Sequence, residues 1–331
     1  MGNNKEIFII QAPEYNWDYF GLFCDPIQDH FKRILKHLKI CTSDNNSVEI
    51  KLKVDVLNPE QIRACATRIS TNPYLYEIIL YPGISYPLWT VSRTFSLPEY
   101  DILPWVNECQ INDERLKSNS VKDILSNYAF SLGCYYILLH EISHIVLGHI
   151  DYLNDRMSTN QLDEFQDEKK EYSSMESKII KALEAEADRQ AGEWLIGFFE
   201  NSLGDNGLGG YLLFPSRIHA YEFYVHAITS VFRLMQDLTQ RESVTHPKPN
   251  ERLHILIDCI STYFKQNIPH EHDEIVGSVS KSRSEAGKRF FVVDSFDPTI
   301  IKRNQYNLAF VNDVIKEINI RDFQHKVELV D

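Results

Sequence analysis

Apolar and polar positions alternate cleanly along VEIKLKVDVL (48–57), the mark of a half-buried strand. EIFIIQA (6–12) and YEIILYPG (76–83) also carry strand character, and Pro82-Gly83 stops the second. NPEQIRACATRI (58–69) reads as a short helix after an Asn-Pro start. From Ser118 onward the pattern turns helical. Residues 120–150 predict one long helix, with Ser120 as N-cap, Asp123 as its third-residue partner and Gly148 as the stop. Residues 151–175 are polar and aperiodic, which predicts a mobile surface loop. Three more helices follow at 177–200, 216–240 and 245–266, the first broken by NSLGDNGLGG. Residues 269–288 read as a loop, RFFVV (289–293) as a strand and about 305–318 as a helix.

These elements predict an α+β fold, with a mostly helical body and a small N-terminal sheet-bearing lobe. The expected division is an N-terminal α/β lobe (1–115), a helical core (116–268) and a C-terminal loop, strand and helix (269–331) packing on that core.

Composition narrows the function classes. A formal net charge of −13 repels phosphate backbones and excludes general nucleic-acid binding. The basic run FKRILKHLK (31–39) fits the solvated face of an amphipathic helix. Cys24, Cys41, Cys65, Cys109, Cys134 and Cys259 form no CxxC pair and read as free thiols in a reducing compartment. No signal peptide is evident in MGNNKEIFII, and Glu6 stands where a myristoylation signal needs Ser or Thr. No apolar run reaches the roughly 18 residues of a membrane span. The nearest, YAFSLGCYYILL (128–139), runs straight into His140. The expectation is a cytoplasmic protein with no membrane span.

The chemistry concentrates in HEISHIVLGH (140–149). Residues four apart stack on one helix face, so His140 and His144 can present two imidazoles to one ion. Glu141, one position on, reaches beside the metal as a base for an activated water. Zn2+ suits nitrogen ligands and water activation without redox chemistry. The competing reading is a buried helix with satisfied histidines, which must then bury the Glu141 carboxylate at a cost. The longer pattern HExxHxxGxxH needs Gly at 147 and His at 150, where this chain has Leu147 and Ile150. His149 lies about 180° around a continuous helix from His140, so it reads as a non-ligand near a helix C-terminus.

A catalytic zinc takes three protein ligands. EAEADRQA offers Glu184, 40 residues after His144, and Asp188 on the same face. Glu184 reads as the third ligand and Asp188 as an acceptor for a ligating imidazole. Ala187 and Ala191 permit a close approach, and Glu186 points elsewhere and is the weaker choice. Taken alone, this acidic stretch would read as a solvated helix face.

Together, HEISH and EAEADRQA resemble the Glu-zincin pattern HExxH…ExxADxxA. It is shared by the heat-shock and CAAX-prenyl membrane metalloproteases and their soluble relatives. THPKPNER matches their HPxxxxR segment through His246, Pro247 and Arg252. The acidic, span-free character looks more like the Lit-type phage-exclusion peptidases. The resemblance covers roughly 125–260. It implies a zincin-like fold and a zinc endopeptidase, with Glu184 as third ligand. His246 would steady the oxyanion near the scissile carbonyl. Arg252 would help there or hold the His-Pro turn by ion pairing, unless both belong to a helix-start turn with an incidental charge. Such peptidases bind an extended peptide by β-addition, and residues 76–83 are the candidate edge strand.

His219, Glu222 and His226 share a face of the helix at 216–240, where packing and surface pairing are expected rather than metal binding. HEHDE (270–274) reads as a polar loop. Two functions compete. One is a zinc endopeptidase acting on a protein or peptide substrate bound in extended form. The other is a non-catalytic zincin-fold regulator or binding or sensor module in host defence. Glu141 favours the enzyme, because an inert module has no need of it.

Overall fold

The computed structural model describes residues 18–55, 61, 63–96, 103–157, 161–163, 173–204, 212–239, 246–291 and 310–329. The chain begins with α1 (Asp18–Lys36), β1 (Leu38–Cys41), β2 (Val48–Val54), β3 (Ala64–Thr71), β4 (Tyr74–Leu80) and α2 (Ser85–Arg93). The short β5 (Gln110–Ile111) precedes α3 (Val121–Val146), α4 (His149–Arg156), β6 (Gln161–Asp163) and α5 (Ser174–Gly204). Next come β7 (Leu212–Leu213), α6 (Arg217–Thr239), α7 (Pro249–Asn267), α8 (His272–Phe291), α9 (310–317) and β8 (Lys326–Leu329). The architecture is α+β, a mostly helical body with an N-terminal strand-bearing region.

The largest sheet runs β2-β4-β3-β6, with β2 and β4 parallel and the other pairs antiparallel. Alternation sets its faces: Val48 and Ile50 are buried while Glu49 and Lys51 are exposed. Tyr76, Ile78 and Leu80 bury the same side of β4. Two expectations are corrected here. Residues 64–69 are strand, not helix. The alanines favour a helix locally, but Ala64, Cys65 and Ala66 are buried and the strand hydrogen-bonds to neighbours on both sides. Tertiary pairing thus overrides propensity. Residues 76–83 are not an edge strand either: β4 lies between β2 and β3.

At the sheet's other side, the expected surface loop carries structure of its own. α4 extends through Arg156, and β6 pairs Ala66 with Leu162. Residues 158–160 and 164–172 lie outside the described residues, as do the expected strand at 6–12 and residues 292–293 and 305–309.

α3 is the centre of the body. It packs against α1, α2, α5, α6 and β3. Every residue from Leu132 to Val146 is buried, as befits a helix apolar on all sides. Ser120 caps it, its hydroxyl accepting from the Asp123 amide at 3.1 Å. Among the described residues, α3 is the one helix long and apolar enough to cross a membrane, and 89% of its most apolar window is buried inside the protein.

Residues 272–288 correct another expectation, forming α8 rather than a loop. The signal is sparse: Ile275, Val279, Ser282 and Ala286 are its buried stripe, and mostly polar residues separate them. That stripe suffices because α6 and α7 cover it. Residues 289–291 end this helix instead of starting a strand. The chain closes on itself through β8, which pairs antiparallel with β1.

Candidate active site

Two helices build the site. α3 supplies His140, Glu141 and His144, and α5 packs directly against it with Glu184 and Asp188. Ala187 and Ala191 are fully buried on the α5 face that carries both acids. The four-residue spacing does on each helix what helical geometry requires, stacking two functional groups on one face.

His140 Nε2 and His144 Nε2 face each other at 2.9 Å. Glu184 Oε2 is 3.2 Å from His140 Nε2, and Glu184 Oε1 is 3.6 Å from His144 Nε2. All three side chains are 1–2% exposed. Donor atoms about 2.0–2.1 Å from one tetrahedral zinc stand roughly 3.3 Å apart. The three observed separations bracket that value. Glu184 Oε2 is moreover a buried oxygen with no hydrogen-bond partner among the described residues, an arrangement that a cation would satisfy. Among the described residues, these three form the one group of His, Cys, Asp or Glu side chains whose donor atoms converge, all within 4.8 Å.

Electrostatics agree with a cation-binding pocket. Burial pushes the Glu184 carboxyl up, but the His246, His144 and His140 imidazoles around it outweigh it. The net effect holds the carboxyl well below its usual range. Burial lowers the His144 imidazole to about 4 against the opposing pull of Glu184. A neutral imidazole beside a carboxylate is the ligand form a divalent metal needs.

Asp188, Arg252 and His246 lie around this group. Asp188 Oδ1 is 3.0 Å from His140 Nδ1 and accepts from the Tyr136 hydroxyl at 2.5 Å. Arg252, 3% exposed on α7, brings Nε within 3.3 Å of Asp188 Oδ2 and Nη2 within 4.0 Å of Glu184 Oε2. His246 precedes α7, with Nε2 3.7 Å from Glu184 Oε2. Glu141 is 1% exposed. His219 and Glu222 stand apart: Glu222 accepts from Trp105 Nε1 at 2.7 Å, and His219 contacts Ser216 Oγ at 3.0 Å.

A family profile described as Peptidase U49 matches residues 90–270. The chain belongs to the Peptidase U49 family. No curated protein and no solved structure matches it. The stretch that this Peptidase U49 member shares with the family holds all seven of His140, Glu141, His144, Glu184, Asp188, His246 and Arg252. It leaves out β1 to β4 and the closing β8.

One residue of this family member departs from its expected place. His149 is fully buried and touches the site, its Nδ1 2.9 Å from His144 Nδ1. The expectation that it faces away assumed a continuous helix. α3 instead ends at Val146, and Gly148 adopts φ 76°, so α4 restarts the chain in a new direction at His149. His149 Nε2 in turn lies 3.1 Å from Glu186 Oε2. Gly148 was the available signal, because glycine after a helix end marks a left-handed turn that breaks the helical phase.

Proposed function

We propose that this Peptidase U49 member is a zinc-dependent endopeptidase. The observation that carries the reading is the convergence of His140 Nε2, His144 Nε2 and a Glu184 oxygen within 4.8 Å in a buried pocket. These three residues hold the metal. Zinc bound there supplies a Lewis acid that polarises the scissile carbonyl and lowers the pKa of water.

The chain's own residues do the rest. Glu141 takes a proton from the attacking water and delivers it to the leaving amine nitrogen as the C–N bond breaks. Asp188 orients His140. Arg252 balances the two buried acids on α5. His246, the most exposed of these side chains at 13%, donates to the oxygen that gains charge as the carbonyl becomes tetrahedral. The substrate is a protein or peptide in extended form, and a host-defence setting is proposed from the motif likeness to Lit-type phage-exclusion peptidases.

The test compares wild type with Glu141→Gln and Glu184→Ala. Zinc content is read by mass spectrometry and cleavage by whole-proteome N-terminal profiling. Glu141→Gln should keep about one zinc and lose every new N-terminus; Glu184→Ala should lose the zinc. Undiminished cleavage by Glu141→Gln sinks the base assignment, and full zinc in Glu184→Ala sinks the ligand set.

A further inference from the structure

If His140 and His144 both turn Nε2 to one ion, each must have its Nδ1–H held by an acceptor. At His140 Nδ1 the neighbouring carboxylate oxygen is Asp188 Oδ1, at 3.0 Å. At His144 Nδ1 the partner is an imidazole, His149 Nδ1 at 2.9 Å. Two nitrogens at that distance share one proton. With His144 engaged through Nε2, the proton sits on its Nδ1 and His149 Nδ1 accepts. A neutral His149 then carries its own proton on Nε2. Glu186 Oε2 lies 3.1 Å from that nitrogen and accepts it.

Resting on the zinc reading above, we infer that His149 and Glu186 are positioning residues: a two-step relay that fixes the tautomer and ring orientation of His144. It does through an imidazole what Asp188 does for His140 in one step. His149 is 0% exposed, and both its ring nitrogens are spent in this chain. Glu186 is 20% exposed at its side chain, so the relay ends on a carboxylate that water still reaches. The left-handed turn at Gly148 is what brings the His149 ring under His144. The two ligating histidines therefore differ in their support. His140 leans on a fully enclosed carboxylate and His144 on a relay reaching the protein surface.

The test measures zinc affinity of the full chain by chelator competition, together with the visible spectrum of the cobalt(II)-loaded protein. His149→Phe removes the acceptor and should weaken zinc binding about 10–100-fold and shift the cobalt bands. His149→Asn, whose amide oxygen can accept from His144, should recover affinity to within about threefold of wild type. Glu186→Ala removes only the surface end and should weaken binding several-fold while leaving the fold intact. If His149→Phe does not fold, Glu186→Ala decides the matter. Wild-type affinity and an unchanged cobalt spectrum in Glu186→Ala, or in a folded His149→Phe, overturn the relay. So does a loss in His149→Asn equal to that in His149→Phe, which marks a packing role. The zinc reading fails separately, if the wild type binds no stoichiometric zinc or if Glu184→Ala keeps it.

Discussion

Asp188 Oδ1 stands 3.0 Å from His140 Nδ1, with both side chains 1% exposed. With the proton on Nδ1 toward Asp188, His140 turns the lone pair of Nε2 toward His144 and Glu184, and the ring is committed to one tautomer. The Tyr136 hydroxyl reaches the same Asp188 oxygen, so the acid is itself held from α3. Asp188→Asn keeps the shape and removes the charge. Zinc affinity should fall about 10–100-fold. Chelator competition checks it, with circular dichroism confirming an unchanged fold. Equal affinity in the variant would mean that Asp188 does not orient the ligand.

Arg252 is enclosed by the groups it serves. It faces Asp188 and Glu184, donates to Met235 Sδ at 2.9 Å and lies 5.9 Å from the Phe232 ring centre. Removing one partner of a buried ion pair leaves an uncompensated charge. Arg252→Ala should therefore destabilise the zinc-free protein by about 3–5 kcal/mol. Urea denaturation reads this as a lower midpoint at constant slope. Asp188→Ala in the Arg252→Ala background should cost less than in wild type, since the charges are coupled.

Gly148 is the hinge between the two histidine-bearing helices. Its φ of 76° strains any side chain, and an added Cβ would meet the Phe323 carbonyl oxygen at 2.3 Å. Gly148→Ala combines a left-handed penalty of about 1–2 kcal/mol with a clash against backbone that cannot rotate away. Thermal denaturation should show a clear fall in Tm. Zinc affinity should fall with it, because His149 is carried by this turn. An unchanged Tm would show that the chain relaxes around the turn at no cost.

How far the sequence reveals this molecule differs from element to element. α3 is legible because its apolar period, its Ser120 cap and its glycine stop all agree. His140, His144, Glu184 and Asp188 are legible as a set because helical stacking makes four-residue spacing a statement about space. β3 is not, because pairing with β4 and β6 decides its conformation and no local signal reports that pairing. α8 is missed for a related reason: its four buried positions have meaning only once α6 and α7 cover them. His149 fails most instructively. A continuous helix would put it on the far side, but Gly148 ends α3, and one residue of φ brings the side chain into the site.

Two histidines remote from the His140–His144–Glu184 group contribute to the acid stability of the fold. His30 is buried beside Tyr135, with ring centres 4.5 Å apart, and Nδ1 has no hydrogen-bond partner among the described residues. Burial, with Arg33 adding to it, brings its imidazole down to about 4. His254 faces the Arg283 guanidinium, whose Nη2 lies 2.8 Å from its Nε2. Arginine has no acceptor, so that contact requires a neutral imidazole nitrogen. Burial and the Arg283 charge bring His254 to about 4 as well. Both groups therefore bind protons more readily in the unfolded chain, where the value is near 6.5. Unfolding takes up protons in that window, so stability is full above about 6.5 and is lost as the pH falls towards 4. Urea midpoints of the zinc-free protein at steps from pH 7 to pH 4 should fall steadily. His30→Phe, which keeps a ring against Tyr135 and cannot titrate, should flatten that slope. A slope identical to wild type would show that His30 stays neutral in both states or is already charged in the fold.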